Sequence, residues 1–348
     1  MKDFACPYGT HRVISPDNAL PQNAEQVDNT LPIKENELLI DVDTLNIDAA
    51  SFHQMSKACN GDVEGIKNLI VKTVSERGKQ HNPVTGSGGM LLGTVKEIGS
   101  TYSNKTDLKV GDKIATLVSL SLTPLYIEQI KEIFPERDQV KINGHAVLFD
   151  TGILAKIPED LPEVLVLAVL DVAGAPAQTQ RLVKPGHNVV IIGAGGKSGS
   201  LCAAMARDIL GDSGKVIGIE PSPKGIARMQ ELGYYDSTLQ LDAQQAVVCQ
   251  KAISDATNGV MADVVINCVS VENTELSSIM CAKPTCDATV YFFSMATSFP
   301  KAALGAEGVG SDALLIIGNG YAPNHDQISL DVIRKHDKLK SVFERVYV

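Results

Sequence analysis

Apolar residues follow two different rhythms along the chain. From about residue 188 onward, short continuous apolar runs alternate with stretches of helical period: "NVVIIG" precedes "SLCAAMARDIL", and "KVIGIE" precedes "KGIARMQELG". A weaker strand near "STLQL", a helix near "AQQAVVCQKAISDA" and the runs "ADVVINCV", "ATVYFFSM" and "LLIIGNG" complete the series. Runs that are apolar at every position suit strands covered on both faces. Their alternation with helices predicts a doubly wound α/β domain with a parallel sheet of about six strands.

The first 150 residues have another pattern. "NELLIDVDTLNID", "MLLGTVKEIG" and "KVGDKIATLVS" are β-rich and separated by glycine and charged turns, with one helix expected over "VEGIKNLIVKTVSERG". Mixed β structure with a helical insertion fits a small, partly open barrel. The prolines of "AKIPEDLPEV" mark the boundary. The domains expected are therefore 1–155 and 156–320.

Composition narrows the class without naming it. The 348 residues are 44% hydrophobic and 21% charged, as in an ordinary enzyme, and no apolar run approaches the roughly 18 residues of a membrane helix. The start "MKDFACPYGTHRVI" has no apolar segment of the signal-peptide type, so a cytoplasmic protein is expected. A formal charge of −10 argues against nucleic acid as a partner, which needs a basic surface. Seven scattered cysteines with no CxxC pair read as reduced, mostly buried thiols, and not as a zinc knuckle or a disulfide framework.

The segment "IIGAGGKSGS" carries the most specific chemistry. Its Gly196-Lys197-Ser198 resembles the end of a hydrolase phosphate loop, but GxxxxGK[ST] would require glycine where Ile191 stands. A dinucleotide loop fits better: Gly193 ends a strand, Gly195 lets backbone approach a pyrophosphate, and a helix follows whose amides can receive the charge. Gly193, Gly195, Gly196 and Gly199 make the loop one residue wider than GxGxxG, with Ser198 able to donate to phosphate or to cap the helix. Glu220 ends the second strand and can accept from ribose hydroxyls while repelling a 2′-phosphate. NAD is therefore favoured over NADP, although Lys224 and Arg228 close downstream keep NADP open. Lys197 reads either as a phosphate contact or as a solvated lysine.

"GSGGMLLGTVKEIG", "DLKVGDKIATL", "LAKIPEDLP", "LVKPGHNVVIIGAGG", "ADVVINCVS" and "LLIIGNGY", in this order, resemble the medium-chain dehydrogenase/reductase superfamily across nearly the whole chain. The resemblance implies a GroES-like partly open β-barrel followed by a Rossmann-type doubly wound sheet, with the short stretch 321–348 a candidate to return and complete the barrel. "CPYGTHRVISP", "LIDVDTLNIDAASF" and "NPVTGSGGMLLGTVKEIG" are similar, more narrowly, to the 3,5-diaminohexanoate dehydrogenase family of anaerobic lysine fermentation. Its activity would be NAD-dependent oxidative deamination of a small diamino acid, releasing ammonia and a β-keto acid. Zinc-dependent relatives carry Gly-His-Glu where this chain has Gly86-Ser87-Gly88. No cysteine stands in "TLNIDAASF", and the multi-cysteine lobe is missing, so no zinc is expected. An amine has its own lone pair to support hydride loss; it needs a base in place of a Lewis acid.

By the same resemblance, Asp48, Ser51 and His53 occupy the region of a lost zinc ligand, and Asp171 lies near another. Asp48 or Asp171 is the expected base or ammonium partner, with His53 the other base and Ser87 a polar contact in the cleft. Each has a plainer reading: Asp48 as a turn or cap, Asp171 as a helix cap, His53 as a structural histidine. Arg12 in "THR" can meet a substrate carboxylate in bidentate fashion or simply sit on an exposed strand. Two other readings compete with the deaminating dehydrogenase: a zinc-independent quinone or enone reductase, and a non-catalytic nucleotide-binding protein. A homodimer is expected through the apolar edge "LLIIGNG".

Overall fold

The computed structural model describes residues 5–82, 86, 88–103, 107–318 and 320–348. The chain divides into two compact units, Met1–Asp160 and Leu161–Val348.

The first unit runs β1 (Val13–Ser15), β2 (Gln26–Val27), β3 (Glu37–Asn46), α1 (Ala49–Ala58), α2 (Val63–Arg77), β4 (Met90–Ile98), β5 (Lys113–Thr116), β6 (Leu125–Phe134), β7 (Gln139–Phe149) and β8 (Leu154–Lys156). Strands β3 to β8 form one antiparallel sheet in the order β6-β7-β3-β4-β5-β8. Register shifts within β3, against both β4 and β7, are the bulges that bend such a sheet around its own core. Leu38, Ile40, Leu45, Leu91, Ile114, Val140, Ile142 and Leu148 fill that core, with Ile66, Ile70 and Val74 of α2. The three α2 positions recur at i, i+4 and i+8, the apolar stripe of a half-buried helix. Asp62 caps α2 by accepting from the Gly65 amide, and Gly78 ends it in the left-handed conformation.

The second unit runs α3 (Glu163–Leu170), α4 (Gly174–Leu182), β9 (Asn188–Ile192), α5 (Lys197–Leu210), β10 (Lys215–Ile219), α6 (Pro223–Leu232), β11 (Ser237–Leu239), α7 (Ala246–Ala256), β12 (Val264–Asn267), α8 (Glu275–Cys281), β13 (Thr289–Phe292), α9 (Phe299–Gly308), β14 (Leu314–Ile317), α10 (His325–Lys335) and α11 (Asp337–Tyr347). Its six parallel strands lie in the order β11-β10-β9-β12-β13-β14. The strand order reverses between β9 and β12, which is where open α/β sheets bind ligands. Val189–Ile192 and Val264–Asn267 are wholly buried, as the continuous apolar runs require.

Residues 321–348 correct the expected layout. They do not pair with the barrel strands; α10 packs on α3, α4 and α5, and α11 on α3, α5 and α6. The reason is legible in α11: Leu339, Val342 and Phe343 are buried at i, i+3 and i+4, a stripe that needs helices beneath it. All seven cysteines are free, as expected, but Cys286 is exposed and only Cys202, Cys249 and Cys281 are fully buried.

Candidate active site

The loop between β9 and α5 lies at the reversal point. Gly193 has φ 78°, a left-handed backbone that side-chain-bearing residues rarely adopt. At Gly195 a Cβ would stand 2.6 Å from the Gly225 Cα, so the loop and the start of α6 touch backbone to backbone. Gly196 is the N-cap of α5, and the amides of Lys197, Ser198 and Gly199 begin the helix with no intrahelical acceptor. Three free amides at the positive end of a 14-residue helix form an anion site. Ser198 is half-buried beside them, and Gly199 is buried against the Gly193 carbonyl. The loop therefore fits the pyrophosphate of a dinucleotide.

Both faces of Gly195 are held. Its amide donates to Glu220 Oε2 at 3.2 Å, while Glu220 Oε1 accepts from the Ser222 amide and hydroxyl at 3.1 and 2.7 Å. Its carbonyl accepts from Arg228 Nη1, which also donates to the Tyr347 hydroxyl at 2.8 Å. Glu220 is thus more than a solvated strand end: it clasps the loop to β10, and ribose hydroxyls would share its oxygens. Beneath the loop, the Tyr235 hydroxyl donates to the Ala194 carbonyl at 2.7 Å, and burial pushes that phenol's pKa well up.

Asp171 is exposed and follows the last turn of α3, as a helix-capping reading requires, and pairs with Lys197 Nζ at 2.7 Å. Its partner is therefore the lysine at the start of α5, within the glycine loop. The Tyr347 ring centroid lies 5.8 Å from Lys197 Nζ and 5.5 Å from Arg228 Cζ, so both cations are within cation–π range of one ring. Burial raises the pKa of the Tyr347 phenol. Tyr347 and Tyr235 are site residues that the sequence reading missed. Replacing Tyr347 with Ala removes one hydrogen bond and two cation–π contacts, together about 1–2 kcal/mol. Arg228 keeps its bond to the Gly195 carbonyl but loses the ring and hydroxyl that position it. We expect NAD to bind roughly 5- to 30-fold more weakly in a fluorescence titration, with kcat at saturating NAD little changed.

In the first unit, Asp48 caps α1: Oδ1 accepts from the Ser51 amide at 2.9 Å. Its Oδ2 is buried and has no hydrogen-bond partner among the described residues. Ser51 is buried, whereas His53 on the same helix is exposed. Ser87 lies outside the described residues. Arg12 requires a correction. It is 2% exposed, and every N–H of its guanidinium is committed: Nε and Nη2 to Glu37 at 2.6 and 2.7 Å, the rest to the carbonyls of Asp28, Thr30 and Pro32. No donor remains for a substrate carboxylate. Burial pushes the Glu37 carboxyl up, but hydrogen bonds from His11, Arg12 and the Lys34 amide outweigh it and hold the pKa at about 2. Among the described residues, no group of three or more His, Cys, Asp or Glu side chains is arranged to hold a metal ion.

Comparison with known proteins agrees with this architecture. The chain is similar in fold to a quinone oxidoreductase of Pseudomonas syringae pv. Tomato DC3000, at 18% identity and a TM-score of 0.55 over 91% of this chain and 86% of that one. Residues 11–158 match the family model for the L-erythro-3,5-diaminohexanoate dehydrogenase N-terminal domain. Over 343 residues, 99% of either chain, the sequence is 52% identical to L-erythro-3,5-diaminohexanoate dehydrogenase of Acetoanaerobium sticklandii. The identity and coverage are the same for the enzyme of that name from Fusobacterium nucleatum subsp. nucleatum. Likeness of this extent, running without interruption through both units, makes the chain a member of the L-erythro-3,5-diaminohexanoate dehydrogenase family.

Proposed function

We propose that the protein catalyses the NAD-dependent oxidative deamination of L-erythro-3,5-diaminohexanoate at carbon 3. The products are 5-amino-3-oxohexanoate, ammonia and NADH, as a step of anaerobic lysine degradation. The observation that carries this reading is 52% identity over 99% of the chain to dehydrogenases of that name.

The nicotinamide, when bound, supplies the hydride acceptor. The chain's own residues supply the rest. The α5 amides with Ser198 and Lys197 bind phosphate oxygens, and Glu220 takes ribose hydroxyls and disfavours a 2′-phosphate. Asp48 is the base: its unpartnered Oδ2 takes the proton that frees the C3 amine's lone pair. Once that proton has passed to solvent, the same carboxylate accepts a proton from the water that adds to the iminium carbon and returns it to the departing amine. Expulsion of ammonia completes the balance: the ammonium form, NAD⁺ and water give ketone, ammonium, NADH and one proton. His53, exposed on α1, remains the second base candidate.

No helix among the described residues is long and apolar enough to cross a membrane; a cytoplasmic location is part of the proposal. So is a homodimer: β14 is an outer strand of its sheet, and Leu314, with Phe299 and Leu304 of α9, is exposed.

The test mixes the protein with NAD and L-erythro-3,5-diaminohexanoate, with and without a chelator, following reduced nicotinamide and ammonia in the same tubes. We expect NADH and ammonia in equal amounts, insensitive to chelation and much slower with NADP. A cofactor-binding preparation that makes neither product overturns the substrate assignment. Loss of activity on chelation, restored by zinc, overturns the metal-free chemistry.

A further inference from the structure

A cavity of about 200 Å³ lies within the first unit between α1, α2 and the segment that follows α2. Met55 and Leu69 form apolar walls; Gln54, Gln80, His81 and Asn82 contribute polar ones. The cavity is not remote from Asp48. A Cβ at Gly88 would meet the Gln80 carbonyl at 2.3 Å, and one at the adjoining Gly89 would meet the Asp48 amide at 2.7 Å. Two consecutive residues thus bridge the cavity segment and the α1 cap.

The polar groups of this cavity are unevenly satisfied. Gln80 is 1% exposed, its Oε1 has no partner among the described residues, and its Nε2 has only the Met55 sulfur at 3.9 Å. A buried amide left this way is costly until something pairs with it. Arg77 Nη1 lies 3.1 Å from His81 Nδ1. Arginine can only donate, so Nδ1 is the acceptor, and the neutral ring carries its proton on Nε2. That Nε2–H has no acceptor among the described residues.

The local charge has one sign. Arg77 pairs with no carboxylate among the described residues, and neither does Lys79, whose buried ammonium donates only to the Pro21 and Gln22 carbonyls. Burial, then Lys79 and Arg77, lower the His81 pKa and keep the ring neutral. In a chain of net charge −10, two uncompensated cations beside an apolar-walled cavity select an anion and reject an ammonium.

Resting on the deamination reading, we propose that this cavity is the subsite for the carboxylate end of the substrate. His81 Nε2–H is the direct donor, the Gln80 amide is a second contact, and Arg77 is the positioning residue that fixes the His81 tautomer. The class of ligand is a short aliphatic carboxylate, its methylenes against Met55 and Leu69. It supplies the carboxylate partner that Arg12 cannot be.

The experiment has two arms on the full chain. In the first, butanoate is titrated while the His81 ring is followed by NMR. We expect a saturable shift and a raised His81 pKa, at least tenfold weaker in Arg77→Met and retained in Arg77→Lys. No shift, or one unchanged in Arg77→Met, overturns the subsite whether or not the enzyme deaminates diaminohexanoate. In the second, steady-state kinetics compare the acid with its C1 carboxamide. Arg77→Met and His81→Phe should raise KM for the acid 10- to 100-fold with kcat changed less than threefold, and leave the carboxamide's KM unaltered. Equal losses on both substrates would mean a merely structural role and overturn the assignment.

Discussion

Asp48→Asn should fold like the wild type and lose between about 10² and 10⁴ in kcat, the usual worth of a positioned acid–base group. Asparagine is as good an N-cap as aspartate, so the bond from the Ser51 amide to Oδ1 survives and α1 keeps its start. What changes is the second oxygen, buried and unpartnered among the described residues, which becomes an amide that cannot take a proton. Dinucleotide binding, which we place on residues 193–228, should be unaffected. The decisive measurement is kcat beside the thermal midpoint: an intact midpoint with a collapsed kcat supports the base. An intact kcat would reduce Asp48 to a cap and pass the role to His53.

The largest effect on stability should come from Arg12. Arg12→Met leaves Glu37, wholly buried, without its bidentate partner, and it frees the Asp28, Thr30 and Pro32 carbonyls that the guanidinium gathers. Breaking a buried pair from one side costs about 3–5 kcal/mol, roughly 10 °C in midpoint for a unit of this size. Thermal melting followed by circular dichroism measures it; a shift under 2 °C would contradict the network. The pH dependence has a definite sign. The Glu37 pKa is about 2 in the fold against 4.5 ordinarily, so its stabilisation is present above pH 4.5 and is lost as pH falls from 4.5 towards 2. Without Arg12 the folded pKa rises, and acid unfolding should begin at higher pH.

These two residues also show what a sequence can and cannot disclose. The parallel sheet was legible because its strands are apolar at every position: "NVVII" and "KVIGI" are β9 and β10 residue for residue. The positions of the glycine loop and Glu220 were legible because the apolar runs fix them: Gly193 follows β9, Gly196 caps α5 and Glu220 follows β10. The burial of Arg12 was not, since charged side chains usually stay at the surface and its partners lie 16 to 25 residues away. Tyr347 was invisible for the same reason, 119 residues from Arg228. Helix α3 was ambiguous: Leu165–Leu170 are buried all round, so no period distinguishes helix from strand. The pattern of α11 is present in the sequence, but the resemblance made those residues a candidate to complete the barrel and so drew attention from it.

The clasp on Gly195, with amide to Glu220 and carbonyl to Arg228, has a thermodynamic consequence for cofactor exchange. A loop tied on both sides has lost its conformational entropy when the protein folds. Little remains to be lost when a dinucleotide arrives. The affinity then reflects contacts made and water released, and the coenzyme leaves without a segment having to unravel behind it. For a dehydrogenase that discards a reduced nicotinamide after each turnover, as we propose for this one, a rigid cradle makes the coenzyme a rapidly exchanging co-substrate in place of a tightly held prosthetic group.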